Sequence, residues 1–225
     1  KFIYINYPNN PTGAVATKAF YEKLVAWAKT YEVGVVSDLA YGALGYQGYE
    51  NPSFLSTPGA KDVGIEFYTF SKTFNMAGWR LAFAAGNDQM IEALNLIQDH
   101  LFVGIFPALQ EAGIAALLDP KSEEAVAQLN ATYDSRRDAF VQAAAKIGWQ
   151  AFPSRGSFYA WMPVPEGYTS ESFADLLLEK VHVAVAPGKG FGPAGDAYVR
   201  IGLLVEPERL VEAVDRIANL HLFNN

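Results

Sequence analysis

Apolar residues along this chain fall into two kinds of run, short continuous ones and longer ones at helical spacing, and their order predicts the elements. Phe2 to Asn6 (FIYIN) reads as a buried strand with no lead-in. After it comes Tyr7-Pro8-Asn9-Asn10-Pro11-Thr12-Gly13, a turn segment whose prolines lack backbone donors and whose Gly13 permits an unusual backbone angle. A helix capped by Thr17 follows, and Phe20, Leu24, Trp27, Ala28 and Tyr31 recur in it at a spacing that predicts the stripe packed on a sheet. Val33 to Ser37 is a second apolar strand. The order strand, helix, strand is that of a right-handed parallel crossover, which sets the fold class as α/β. A loop rich in Gly and Tyr leads to a third strand near Ile65 to Phe70, and Leu81 to Ala85 is a candidate fourth.

Beyond Asp88 the pattern turns helical. Pro107 and Glu111 suit a helix ending near Asp119-Pro120, and Ser122 opens a long helix with Val126, Leu129, Tyr133, Phe140, Val141 and Ala144 largely along one side and Gly148 as its stop. Then follow a strand at Ser157 to Met162, a helix at Ser170 to Lys180, strands at His182 to Ala186 and Tyr198 to Leu203, and a last helix from Pro207 to about Leu220. The expected organisation is therefore residues 1–122 as the remainder of a large, mainly parallel α/β domain, 123–147 as a bridging helix, and 148–225 as a small α+β C-terminal domain. A chain opening directly on a strand, without Met, leads us to expect a further portion upstream.

Composition narrows the function. With 225 residues, 51% hydrophobic and 18% charged, the chain has the makeup of a globular protein rather than a disordered one. Its 17 Lys and Arg against 24 Asp and Glu give a net charge of -7, and the basic residues are scattered, so no footprint for nucleic acid is present and small metabolites are the expected partners. The absence of cysteine excludes disulfides, thiolate zinc sites and cysteine nucleophiles, and fits the cytoplasm. His100, His182 and His221 share no ligand spacing, so no metal site is expected. No apolar run approaches the roughly 20 residues that span a bilayer, so no membrane association is expected either.

Three polar residues follow three strands that the pattern makes parallel: Asn10 after the first, Asp38 after the second, Lys72 after the third. Ligands of open α/β sheets bind at that edge. Taken singly, Asn10 equally suits an ordinary turn, Asp38 a cap, and Lys72 a solvated lysine. Taken together, an amine and a carboxylate at one sheet edge suit pyridoxal phosphate, since the amine can form an imine with its aldehyde and the carboxylate can keep its ring nitrogen protonated. Tyr41, three residues after Asp38, suits either core packing or a hydroxyl placed near the cofactor phenolate, where Asn10 could donate a second hydrogen bond. Thr69 and Ser71 place hydroxyls beside Lys72, and Arg80 lies eight positions after it; hydroxyls and a fixed guanidinium are what a phosphate dianion needs. The cluster Gly188-Lys189-Gly190-Phe191-Gly192 leads into Pro193 rather than a helix and reads as a loop, not a phosphate-binding loop. Strand alternation sets Val199, Ile201 and Leu203 on one face and Arg200 on the other, where it either meets solvent or grips a substrate carboxylate.

With these residues in place, the chain resembles the fold-type I pyridoxal-phosphate-dependent aminotransferases of class I and II. The matching motifs are Tyr7-Pro8-Asn9-Asn10-Pro11-Thr12-Gly13, Asp38-x-x-Tyr41, Ser71-Lys72 through Gly78-Trp79-Arg80, and Tyr198-Val199-Arg200-Ile201. The resemblance implies that Lys72 forms the internal aldimine and carries the proton during amino-group transfer. It implies that Asp38 pairs with the pyridinium, Tyr41 and Asn10 bond the phenolate oxygen, Thr69, Ser71 and Arg80 hold the phosphate, and Arg200 clamps the α-carboxylate. Asn75 to Arg80, Gly156 to Tyr159 and Pro187 to Gly192 look like the bacterial branch of aspartate, LL-diaminopimelate and methionine-salvage aminotransferases, the last most of all. Expected partners are an α-amino acid and an α-keto acid, with a homodimer in the full-length form. In this family the N-terminal half supplies a phosphate-binding turn, a ring stacked on the cofactor and a tyrosine reaching the neighbouring subunit. None of these can be assigned here, so the 225-residue chain alone is expected to be inactive. Two other readings of the same residues are a carbon–sulfur β-lyase of this fold and a non-catalytic effector domain that binds the cofactor.

Overall fold

A computed structural model describes residues 1–223, which divide into two compact units: Lys1–Pro8 with Val15–Leu129, and Asn9–Ala14 with the chain from Asn130 onward. The first unit holds strands β1 (Phe2–Asn6), β2 (Gly34–Asp38), β3 (Gly64–Thr69) and β4 (Ala82–Gly86), hydrogen-bonded in that order. β1, β2 and β3 are parallel, with Asn6 opposite Asp38 and Asp38 opposite Phe67, so their carboxyl ends share one edge. β4 returns antiparallel to β3, with Thr69 opposite Ala82. The connection between them contains a single turn of helix, α2 (Phe70–Thr73), and a 3-10 turn at Ala77–Trp79, which fall short of the covering helix a parallel return uses.

Helix α1 (Lys18–Tyr31) starts where expected, with the Thr17 hydroxyl accepting from the Phe20 N–H at 3.2 Å. The stripe it buries keeps Leu24 and Ala28 of the predicted one but not its three aromatics. Tyr21, Leu24, Val25 and Ala28 face the sheet, where they join Ile5, Val35 and Phe54, whereas Phe20, Trp27 and Tyr31 are exposed. Two apolar stripes share this helix, and the larger aromatics pair along its outer side, Trp27 with Tyr31 at 5.6 Å, while Tyr21 meets the Phe54 ring edge-on. Helices α3 (Asp88–Leu101), α4 (Pro107–Leu118) and α5 (Ser122–Lys146) follow, α3 capped by Asn87 and α4 opened by Pro107.

The second unit is built on an antiparallel sheet of β5 (Tyr159–Pro163), β6 (Ala186–Pro187) and β7 (Tyr198–Gly202), with β7 central. Helices α6 (Ser170–Val181) and α7 (Pro207–Ala218) join the end of α5 in a core of Phe140, Trp149, Met162, Phe173, Leu177, Val199 and Val214. The predicted strand at His182 to Ala186 reduces to Ala186–Pro187, because His182 turns left-handed (φ 55°) to close α6 and the Val183 N–H bonds back to Leu177 O. Likewise β5 begins two residues later than expected, after Ser157 at φ 63°. The Gly188–Phe191 segment, read as a loop, is a 3-10 turn.

Residues 9–14 close a tight turn, with Asn9 N–H to Ala14 O and Gly13 N–H to Asn9 O both at 2.8 Å. Gly13 O then accepts from the Arg155 and Gly156 N–H groups at 3.1 and 3.2 Å. Gly13 sits at φ 69°, and a Cβ there would run into Ser154 and Gly156 O, so glycine is required twice over. Among the described residues no helix is long and apolar enough to cross a membrane.

Candidate active site

Asp38, Tyr41, Thr69, Ser71, Lys72 and Arg80 all belong to the first unit; Asn10 and Arg200 belong to the second. In the first unit the chemistry gathers at the carboxyl edge of the parallel strands. Asp38 is the last residue of β2, and its Oδ1 accepts from the Ala40 N–H at 3.1 Å. Burial of the carboxyl pushes its pKa upward, and the Ala40 hydrogen bond opposes that shift. Tyr41 is 5% exposed, and the Lys72 Nζ lies 6.0 Å from the centre of its ring. Thus the segments that follow β2 and β3 bring Tyr41 and Lys72 close enough to address one small molecule.

The end of β3 is organised by its own side chains. Thr69 Oγ1 accepts from the Ser71 N–H at 3.2 Å, which caps α2, and it donates to Ser71 Oγ at 2.9 Å. The Tyr68 hydroxyl shares a 2.7 Å hydrogen bond with Thr73 Oγ1 and ties strand to helix; burial raises the phenol's pKa. Arg80 follows the 3-10 turn at φ 54°, is exposed, and donates from Nη1 to Ala77 O at 3.0 Å. Space around Gly78 is open.

One carboxylate that organises this edge is absent from the sequence reading. Glu66 on β3 is 6% exposed and accepts from Ser37 Oγ at 3.0 Å, Phe54 N–H at 2.8 Å and Ser53 Oγ at 2.5 Å. It fastens the segment after Tyr41 to β3 and to β2, where Ser37 immediately precedes Asp38. An acid inside an apolar strand was the available signal, since such a group is buried only when donors meet it.

In the second unit Arg200 projects from β7 away from buried Val199 and Ile201. Its Nη1 donates to Asn10 Oδ1 at 2.7 Å, and its guanidinium lies 4.1 Å from the Tyr159 ring centre and 4.7 Å from that of Phe191. The two predicted residues of this unit are therefore direct partners, and two further aromatics surround the cation.

The donor set fits a phosphorylated pyridine aldehyde. Lys72 offers an amine for a carbonyl, Asp38 a carboxylate for a protonated ring nitrogen, Thr69 and Ser71 hydroxyls for phosphate oxygens, and Arg80 a guanidinium. The sequence matches the family model described as aminotransferase class I and II over residues 1–217. The chain belongs to that family. It is 58% identical over 223 residues to the L-glutamine--4-(methylsulfanyl)-2-oxobutanoate aminotransferase of Bacillus subtilis strain 168, covering 99% of itself and 56% of that protein. It is 48% identical over 217 residues to the LL-diaminopimelate aminotransferase of Moorella thermoacetica, covering 96% of itself and 55% of that protein. Among solved structures, apo BacF from Bacillus subtilis superposes with a TM-score of 0.95 at 46% identity, over 100% of this chain and 57% of that one. The chain thus spans little more than half the length of these relatives. The family's cofactor is pyridoxal 5'-phosphate.

Proposed function

We propose that the full-length protein transfers the amino group of an α-amino acid to an α-keto acid, with pyridoxal phosphate held by this chain. The observation that carries the reading is the approach of Lys72 to Tyr41 at the strand edge that ends in Asp38, with Thr69 capping the helix that bears the lysine through the Ser71 N–H. When bound, the cofactor supplies an aldehyde carbon that takes up amino groups and a protonated ring that accepts electrons. Lys72 would supply the amine that holds the cofactor's aldehyde carbon and would carry the proton taken from the substrate Cα. Asp38 keeps the ring nitrogen protonated. Tyr41 and Asn10 bond the phenolate oxygen, and Thr69, Ser71 and Arg80 orient the phosphate. Arg200 takes the α-carboxylate in the planar fork geometry that a guanidinium offers.

For substrates we propose 4-(methylsulfanyl)-2-oxobutanoate as acceptor and glutamine as donor, which rests on the 58% identity to the Bacillus subtilis enzyme of that name. The relatives named above are aminotransferases rather than lyases. Lack of cysteine supports a reducing, cytoplasmic setting. A homodimer rests on the family resemblance, as does inactivity of the 225-residue chain on its own.

The test is to express the full-length protein, add pyridoxal phosphate and compare wild type with Lys72→Ala. We expect a visible absorbance band, lost in the variant, and glutamine-dependent consumption of the keto acid. A band that survives the substitution overturns the lysine assignment, and pyruvate release from cystathionine without an acceptor overturns transamination.

A further inference from the structure

Arg200 is held in a way that its strand does not explain. Its neighbours on β7 are buried in the core, but the guanidinium itself is carried by side chains from three other places: Asn10 in the Gly13 turn, Tyr159 on β5 and Phe191 after β6. Among the described residues its hydrogen bond is the one from Nη1 to Asn10, so the remaining N–H groups are left to an incoming acceptor.

Phe191 is 41% exposed and forms no part of the hydrophobic core of its unit, so packing energy does not explain an aromatic there. The turn that carries it is nonetheless tightly fixed. Gly188 approaches the Gly195 and Tyr198 carbonyls so closely that a Cβ would collide with both, and the Lys189 N–H bonds to Ser170 Oγ at 3.2 Å. Ser170 Oγ in turn donates to Asp196 at 2.8 Å. The turn is held by glycines and by the start of α6, and what it presents to Arg200 is the Phe191 ring, with the Trp161 ring edge-on beside it at 6.0 Å.

We infer that Phe191, with Tyr159 as its companion, is a positioning residue for the substrate carboxylate: the two rings hold the Arg200 guanidinium against Asn10 so that its free donors meet the carboxylate in one orientation. The physical basis is the attraction of a cation to aromatic faces, strongest where water is displaced. A long side chain pinned at several points also loses less freedom when it binds. This inference rests on the assignment of Arg200 in the proposed function.

The experiment measures steady-state kinetics of the full-length holoenzyme carrying Phe191→Ala, Phe191→Leu, Phe191→Tyr or Arg200→Lys. We expect Phe191→Ala and Phe191→Leu to raise KM for both the amino acid and the keto acid by roughly 2- to 30-fold, with a smaller change in kcat. Phe191→Tyr, which keeps the ring, restores KM. Reaction with a primary amine that lacks the carboxylate is not weakened by either ring-removing variant. If Phe191→Leu keeps the wild-type KM, bulk and not the aromatic face matters and the inference is overturned. An equal loss with the carboxylate-free amine overturns it as well. If Arg200→Lys itself leaves KM unchanged, the fault lies in the assignment of Arg200; if that variant raises KM while both ring-removing variants do not, the inference fails alone.

Discussion

Removing the Glu66 carboxylate is a perturbation whose size can be worked out from its partners. Glu66→Gln keeps an oxygen where Oε2 accepts from Ser37 and Phe54 and turns an amide toward Ser53, which has lone pairs to receive it. All three charge-assisted bonds then become neutral ones, a loss of about 1 kcal/mol each, partly offset because no charge is buried, so we expect a cost of about 1–2 kcal/mol. Glu66→Ala removes all the acceptors. The Phe54 N–H, on a residue 0% exposed, and the hydroxyl of Ser37, 2% exposed, lose their buried acceptor, at about 1–3 kcal/mol for each. We expect a total of about 3–5 kcal/mol. The assay is native-state hydrogen exchange at the Phe54 amide in the full-length protein. At about 1.4 kcal/mol per tenfold, the alanine variant exchanges roughly 10²- to 4 × 10³-fold faster and the glutamine variant roughly 5- to 30-fold faster. An Ala variant that exchanges within about threefold of wild type would refute the view that Glu66 fastens the segment after Tyr41.

Asp38→Asn is expected to stabilise the cofactor-free protein slightly while abolishing catalysis. Burial raises the Asp38 pKa, so the folded state binds more protons than the unfolded one, and stability falls as pH rises through the carboxylate range. The gain of the variant therefore appears above about pH 4 and vanishes below it; because the Asp38 carboxyl is only partly buried and solvent screens it, the gain stays under about 1 kcal/mol, and thermal melts of the apoprotein between pH 3 and 8 check the sign. Gly13→Ala is expected to dislodge Asn10, through positive-φ strain and the collision with Ser154 and Gly156 O, at a cost of about 2–4 kcal/mol. Its signature is a raised substrate KM together with a lowered melting temperature, and an unchanged KM would show that the turn tolerates a side chain.

Much of this architecture was legible in the sequence because it depends on neighbours in the chain. Thr17 and Pro107 mark helix starts through groups within one turn of them. Asp38 and Lys72 were legible as strand-end residues, and Arg200 through the period of its strand, since alternation alone sets it opposite Val199 and Ile201. Where the reading failed, two local patterns competed. On α1 Leu24 and Ala28 are buried as predicted, but they extend equally well to Phe20, Trp27 and Tyr31 on one side or to Tyr21 and Val25 on the other, and contact with Ile5, Val35 and Phe54 selects the second. At His182 to Val185 apolar alternation suggested a strand, but the chain is still closing α6.

What remained illegible required pairing across long separations. Glu66 reads as an intruder in an apolar strand until Ser37, 29 residues away, and Ser53, 13 residues away, supply its donors. Asn10 reads as the end of the first strand's turn, yet the bonds of Gly13 O to Arg155 and Gly156 join it to the second unit. Phe191 is the sharpest case. Its Gly-rich surroundings read as a loop, and glycines do serve it, but their role is to let backbone approach backbone at Gly188 and Gly195. Only the antiparallel register that sets Trp161 and Ala186 opposite Arg200 brings the flanking turn and the Tyr159 strand to the same guanidinium. A motif can locate a charged residue on a strand, but the surroundings that fix how its charge is offered depend on which strands lie beside it.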